Sequence, residues 1–576
     1  MKEPKSKIRQ IWQQLYPDAD SGILSSFMEK LDKAKNEISF PPHEKEWYKD
    51  AIVYSLYVDL FNKDFPGLEN KLDYLQDLGV NCLWLLPILD SPGKDAGFDI
   101  KDYRSIRPDL LGLPPESSND EKAAVFAGFL DKAHKKGIRV IFDIAINHTS
   151  DQHPWFLESR SSADNPFRDY YIWAEDDKGY RDARIIFKGL CESNWEKDGD
   201  QYFFHRFFEF QPDLNYRNPD VLIAMTENLI FWLKLGVDGF RADAIPYLWK
   251  EEGTDCENLP QTHMLVKFFR AVIDHIRPQT LLLAEACQKP NEVVKYFGDG
   301  DECHAGYHFP LMPQMFKALH MQNSSPVADV LSKEVTPDIP KESQWFTFLR
   351  CHDELSLELV YVTEEDRKYI HDNYCLKPEW NFRLGQGVSA RLSELMERDP
   401  DRIALAYAMM LSLPGTPVIY YGDEFGKFND REYYEEMIKL TGKDDTRFLV
   451  RGKLNWDQIE SELNDSGSFS SKVYRQVSKL INTRKKYPVF GRGILEMIEV
   501  SDTDGNNVHE VMGYHRTYSC NSILVLLNLS DKEKHVSPPT ARIKTSKQDM
   551  LGQAVIIDEG NKSLRIPAKG YYWFFV

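Results

Sequence analysis

Positive charge is in short supply in this 576-residue chain: 71 Lys and Arg stand against 90 Asp and Glu, a net charge of −19. A phosphate-backbone partner needs a basic footprint, so nucleic acid is excluded. Cysteine is sparse, 8 residues in all, and no two form a Cys-x-x-Cys pair, which removes zinc and dithiol redox motifs. No window approaches the ~18 consecutive apolar residues of a membrane span, so no membrane partner is expected. The opening MKEPKSKIRQIWQQL carries no apolar signal-peptide core. With unpaired thiols, this points to the cytoplasm. Internal repeats and low-complexity tracts are also missing.

What is present is apolar and aromatic. Hydrophobic residues make up 42% of the chain, enough for large cores, and aromatics 13%. Aromatic faces beside carboxylates suit a neutral, polyhydroxylated substrate, although most of these rings belong to ordinary core. The length exceeds one ordinary domain and fits an α/β barrel of roughly 250 to over 400 residues plus a smaller domain.

Near-continuous apolar runs alternate with helical stretches. Ala51–Leu60, Val80–Leu86 and Ile138–Ile146 read as the first three strands. Val237–Asp243, Thr280–Glu285, Ala305–Phe309, Trp345–Leu349 and Val418–Tyr421 bring the number to eight. A parallel sheet covered by helices has this pattern. The fold class expected is α/β, a (β/α)8 TIM barrel with a subdomain inserted after the third strand and a C-terminal antiparallel β-sandwich domain. Residues 1–46 form a helical extension, with an amphipathic helix near Ile23–Ile38. Residues 47–148 and 212–480 form the barrel, and 149–211, where the alternation fails, the inserted subdomain. Residues 481–576, short runs between turn signals, form the last domain.

The chemistry gathers at strand ends, which in a closed parallel barrel share one face. The stretch FWLKLGVDGFRADAIPY, 231–247, places Arg241 and Asp243 at the end of the fourth strand. A cation two residues away keeps a carboxylate charged; alone, the pair could equally be structural. The third strand ends in Asn147-His148, the fifth in Glu285, and the seventh leads into His352-Asp353. An Asp nucleophile and a Glu acid/base on different strands are what retaining glycosyl chemistry requires. Four such groups on one face are hard to explain structurally.

These motifs resemble the α-amylase family of glycoside hydrolases over about residues 50–430. The resemblance implies Asp243 as nucleophile, Glu285 as acid/base and Asp353 as transition-state stabiliser, with Arg241, His148 and His352 as sugar contacts. Longer stretches are similar to the family's trehalose synthase branch, among them ENKLDYLQDLGV at 69–80, INHTSDQHPWF at 146–156 and LPGTPVIYYGDE at 413–424. The branch implies short α-glucosides, maltose and trehalose, as substrates, exchanged by intramolecular glucosyl transfer. A hydrolase of short α-glucosides is the alternative, and a homo-oligomer is compatible with either. A scaffold protein on the same fold need not keep all three carboxylates.

The resemblance further implies Asp95 as the clamp on the terminal glucose, paired with Arg451, and Phe98 as a ring stacked on the sugar. No cofactor is required. It also implies a structural calcium on Asn147 and Asp213 with the backbone oxygens of Tyr247 and Leu248. Here Lys250 replaces the acidic ligand, and an ammonium repels a cation unless Glu251 or Glu252 substitutes. The segment 427–456, Cys351 and Phe210 also depart from the branch. A lid built from Trp155, Phe156, Phe167, Tyr170, Tyr171 and Trp173 is expected over the site.

Overall fold

The computed structural model describes every residue except 1–2, 188–190, 540–542, 544–546, 559 and 561–562. The parts of the N-terminal extension, the insertion and the last domain at those positions lie outside the described residues. Eight strands close a parallel barrel in sequence order. They are β1 (Val53–Leu56), β2 (Cys82–Leu85), β3 (Arg139–Ala145), β4 (Gly239–Asp243), β5 (Leu281–Ala284), β6 (Ala305–Tyr307), β7 (Gln344–Phe348) and β8 (Thr416–Tyr420). Val53 sets the closing register, opposite Cys82 on one side and Val418 on the other. All eight expected strands are found; the first six are shorter than their apolar runs, β7 is shifted by one residue, and β8 begins two residues before its run. The surplus residues turn off the ladder at the rim, which is where the polar groups sit.

Local signals account for the helix limits. The helix before β3 spans Asn119–Lys135 and starts where it does because Ser118 and Glu121 close a capping box. The helix before β4, Pro219–Leu235, stops at Gly236, whose φ of 102° suits glycine. The N-terminal helices Pro4–Leu15 and Ser21–Glu37 bury Ile8, Trp12, Phe27 and Leu31. Phe27 stacks on Phe268 at 5.9 Å between ring centres, fastening the extension to the barrel helix Pro260–Ile276.

Between β3 and β4 the chain forms the helix Pro154–Ser161 and a three-stranded antiparallel sheet of Trp173–Ala174, Trp195–Asp198 and Gln201–Phe204. Strands of two to four residues carry no readable period, so the sequence shows only loss of alternation there. At the C-terminus, Ile494–Ile498, Val511–Tyr518, Asn521–Asn528 and Tyr571–Phe575 pair antiparallel, each with the next in that order. The strand 521–528 shows period-two alternation. Ile523, Val525 and Leu527 join the main core, while Leu524 and Leu526 face a second sheet through Val536, Leu564 and Ile566. Arg516 ties this domain down by donating to the carbonyls of Ser412, Phe490 and Gly493.

Candidate active site

One cavity at the C-terminal end of the strands is lined by Asp95, Phe98, His148, Arg241, Asp243, Glu285, His352, Asp353 and Arg451. These residues come from the strand ends and following segments of β2, β3, β4, β5, β7 and β8, which closure of the barrel gathers on one face. Arg241 Nη1 donates to Asp143 at 2.6 Å and to Asp243 at 2.7 Å, so one guanidinium bridges the ends of β3 and β4. Trp84 Nε1 holds the other oxygen of Asp143 at 2.9 Å. Asp143, which ends no motif on its own, is thus the support that aims Arg241.

Glu285 lies just past β5. Burial pushes its carboxyl up to about 7, with Arg241 pulling down and Asp243 pushing up. The backbone N–H of Ala244 donates to its Oε2 at 3.0 Å. Ala244 takes φ 55°, in the left-handed region, and the turn directly after Asp243 thereby aims this N–H at Glu285. Asp353 behaves oppositely. Burial alone would raise it, yet His352, Arg447, Arg451 and Arg241 together hold it well below the usual carboxylate range. The site therefore combines a carboxyl that keeps its proton near neutrality with one that stays ionised. Two carboxyls held apart in this way can divide acid and charge-stabilising roles.

His352 Nε2 meets Asp353 at 3.0 Å, and burial lowers the imidazole to about 3, leaving it neutral. Phe98 stacks on His352 at 5.9 Å and is half-buried, so one face stays open to the cavity. Gln211 joins His148 to Asp95, its Nε2 lying 3.3 Å from His148 Nε2 and 3.1 Å from Asp95 Oδ2. Burial lifts Asp95 to about 6.

The direct Asp95–Arg451 ion pair is not formed. Arg451 turns instead to Asp353, at 3.4 Å, and to the carbonyl of His352, at 3.0 Å. A second arginine explains the difference. Arg447, four residues earlier on the turn Thr446–Val450, also reaches Asp353, at 3.2 Å, and is steadied by Asp445 at 2.6 Å. Arg447 is the cation that Asp95 feels most strongly. The unusual 427–456 segment thus supplies a wall of the cavity. Arg447 escaped sequence reasoning because its segment departs from the branch, and Glu354, which also lines the cavity, because it sits unmarked behind Asp353.

The lid differs from expectation too. Phe156 stacks on Trp173 at 5.7 Å and meets Tyr171 at 5.0 Å; Trp155 packs on Tyr170 at 5.4 Å, and Phe167 on Tyr170 at 4.9 Å. These six rings make the insertion's own packing and do not line the cavity. Phe187 and Phe207, from the same insertion, do line it. A small sheet must first bury its own apolar face, and that uses most of its rings.

The donors expected to hold calcium do not fit one. Lys250 Nζ lies 2.7 Å from Asn147 Oδ1, 2.9 Å from Asp213 Oδ2 and 3.3 Å from the Leu214 carbonyl. The ammonium thus stands where the cation would have to sit. Tyr247 closes the turn Ile245–Tyr247 and its ring lines the cavity, while Leu248 is buried. A chelator should leave the urea midpoint and the activity unchanged. Lys250→Met should leave Asp213 buried and unpaired, costing about 3–5 kcal/mol, read as a lowered midpoint. A midpoint that falls on chelation of the unaltered protein would restore the metal.

A closed parallel barrel with opposed carboxyls over an aromatic-lined cavity at its C-terminal rim defines a carbohydrate-processing barrel enzyme. Residues 50–493 match the model of the α-amylase catalytic domain. The chain belongs to the α-amylase family. It is 38% identical over 567 residues to the trehalose synthase/amylase of Mycobacterium tuberculosis (strain ATCC 25618 / H37Rv), covering 92% of this chain and 91% of that one. It is also 38% identical to the trehalose synthase of Pimelobacter sp. (strain R48), covering 92% and 96%. Among solved structures, an α-amylase from H. orenii aligns with TM-score 0.68 at 24% identity, covering 92% of this chain and 99% of that one. Among the described residues no helix is long and apolar enough to cross a membrane.

Proposed function

We propose that this protein is a retaining α-glucosyl enzyme that interconverts maltose and trehalose by intramolecular transfer, with some hydrolysis as a side reaction. The observation that carries this reading is the match to trehalose synthases along nearly the whole length of both chains.

In this reading Glu285 donates its proton to the interglycosidic oxygen as the Asp243 carboxylate attacks the anomeric carbon. The C1–O bond to the leaving glucose breaks and a C1–O bond to Asp243 forms. Asp353, kept ionised by its arginines and His352, stabilises positive charge on the ring; Arg241, His148, Asp95, Phe98 and Arg451 hold the sugar. The released glucose turns over in place. Its anomeric hydroxyl then attacks C1, its proton passes to Glu285, and Asp243 is freed. Hydrolysis is the same second step with water as acceptor. Walls that exclude water favour transfer.

The chain is divided, in the same proposal, into the extension 1–46, the barrel 47–148 and 212–480, the insertion 149–211 and the C-terminal domain 481–576. We place it in the cytoplasm, where its 8 free cysteines would stay reduced.

Incubation with maltose tests the reading. Trehalose should be the main product with a minor yield of glucose. Labelled free glucose added to the mixture should enter trehalose poorly, because the released glucose stays in the site. Glucose as the sole product from folded protein would leave a hydrolase in its place.

A further inference from the structure

Five arginines line the catalytic cavity: Arg184, Arg241, Arg383, Arg447 and Arg451. Four are engaged. Arg184 pairs with Glu257 at 2.7 Å, Arg241 with Asp143 at 2.6 Å, Arg447 with Asp445 at 2.6 Å, and Arg451 with Asp353 at 3.4 Å. Arg383 has no side-chain hydrogen bond and no ion pair among the described residues, and its Nε is buried without a partner. A guanidinium carries five N–H donors, and leaving them unmet in a site is costly unless something else meets them.

The backbone goes to some length to place it. Arg383 and Leu384 both take positive φ, 42° and 56°, and Gly385 follows at 90°. Two adjacent non-glycine residues in the left-handed region are strained, and such strain persists where surrounding structure imposes it. The same turn leaves Leu384 95% exposed, an apolar side chain given up to solvent while the arginine beside it is turned inward. The guanidinium lies over Phe187, from the insertion, at 4.3 Å and over Phe382 at 4.7 Å. Two aromatic faces fix its plane but satisfy none of its in-plane donors. Its turn belongs to the small sheet that grows from the chain just after Asp353, where Leu355–Ser356 and Asn381–Phe382 both pair with Gly387–Val388.

We propose that Arg383 is a specificity-determining residue for the acceptor: it donates hydrogen bonds to the hydroxyls of the sugar that receives the glucosyl group. The charged groups it faces are Arg447, Glu354, Glu358 and Asp445. Glu354 and Glu358 line the cavity with it and form no ion pair among the described residues. A donor fork opposite two acceptor carboxyls fits a neutral polyol, whose hydroxyls accept from one and donate to the other. A phosphorylated sugar would set its charge against both glutamates. Sandwiched between the insertion and the loop after β7, Arg383 would hold the departing glucose while it turns and keep water from its place.

The proposal rests on the glucosyl-transfer reading, so the experiment separates the two. With p-nitrophenyl α-glucoside as donor, nitrophenol release reports formation of the glucosyl-enzyme whatever the acceptor. The split between glucose and disaccharide, at fixed added glucose, reports the acceptor site. Arg383→Ala should release nitrophenol within about twofold of the unaltered enzyme while its transfer-to-hydrolysis ratio falls about tenfold. Arg383→Lys should fall in between, and guanidinium chloride at millimolar concentration should restore part of the ratio in the alanine variant only. An unaltered enzyme that forms only glucose from maltose would sink the transfer reading. Transfer with a ratio unchanged in Arg383→Ala would overturn the role of Arg383 alone. A preference for glucose 6-phosphate over glucose, lost in Arg383→Ala, would overturn the neutral-sugar assignment in favour of an anionic acceptor.

Discussion

Asp243→Asn should abolish trehalose formation and hydrolysis together, each by about 10⁴-fold or more, the scale seen when a catalytic nucleophile is removed. Both products descend from one glucosyl-enzyme, so their ratio should not be measurable, let alone shifted. The amide is nearly isosteric, and Arg241 keeps Asp143 as its other partner at 2.6 Å. The fold should therefore survive, which a urea midpoint within about 1 kcal/mol of the parent would establish. Retained hydrolysis with lost isomerisation would mean that water attacks without the intermediate, and Asp243 would not be the nucleophile.

Glu285→Gln is expected to cost about 10²–10⁴-fold on maltose, whose leaving glucose needs a proton. The loss should be much smaller in the first turnover of p-nitrophenyl α-glucoside, whose leaving group needs none. The pH profile gives the sign. Glu285 is pushed up to about 7 by burial, so it is protonated below that value and loses its proton above it. Formation of the glucosyl-enzyme from maltose should fall as pH rises through about 7, and Glu285→Gln should erase that limb. Glu354 is also raised to about 7, by burial and by Asp353 beside it. Glu354→Gln should keep the limb if Glu285 is the acid. A profile flat from pH 5 to 9 would remove Glu285 from that role.

The same raised carboxyls bear on stability. Glu285, Glu354 and Glu424 all sit near 7 against an ordinary value of 4.5. A folded-state pKa above the unfolded one makes a contribution that is fully present below about 4.5 and is lost as pH rises through about 7. These three groups therefore act against the usual gain of stability on leaving acid.

The barrel and the identity of its polar rim were legible because both are local. Each strand is a short apolar run bounded by turn residues, and period and composition find such runs without knowledge of their neighbours. Asp243, Glu285 and Asp353 stand next to strands that announce themselves, so their common face follows from closure of a parallel barrel. The Lys250 substitution was readable as a charge argument, and the ammonium does stand between Asn147 and Asp213. Which arginine meets which carboxylate is another matter. Arg447 and Arg451 are one helical turn apart in sequence and compete for Asp353, and only the path of the 427–456 segment decides that Arg451 turns from Asp95. The lid went the same way: all the rings of the insertion look alike in sequence, but most must cover its small sheet, leaving Phe187 and Phe207 for the cavity. Composition, period and charge are set residue by residue along the chain, whereas partner choice among similar side chains is a contest settled by burial and distance in the folded protein.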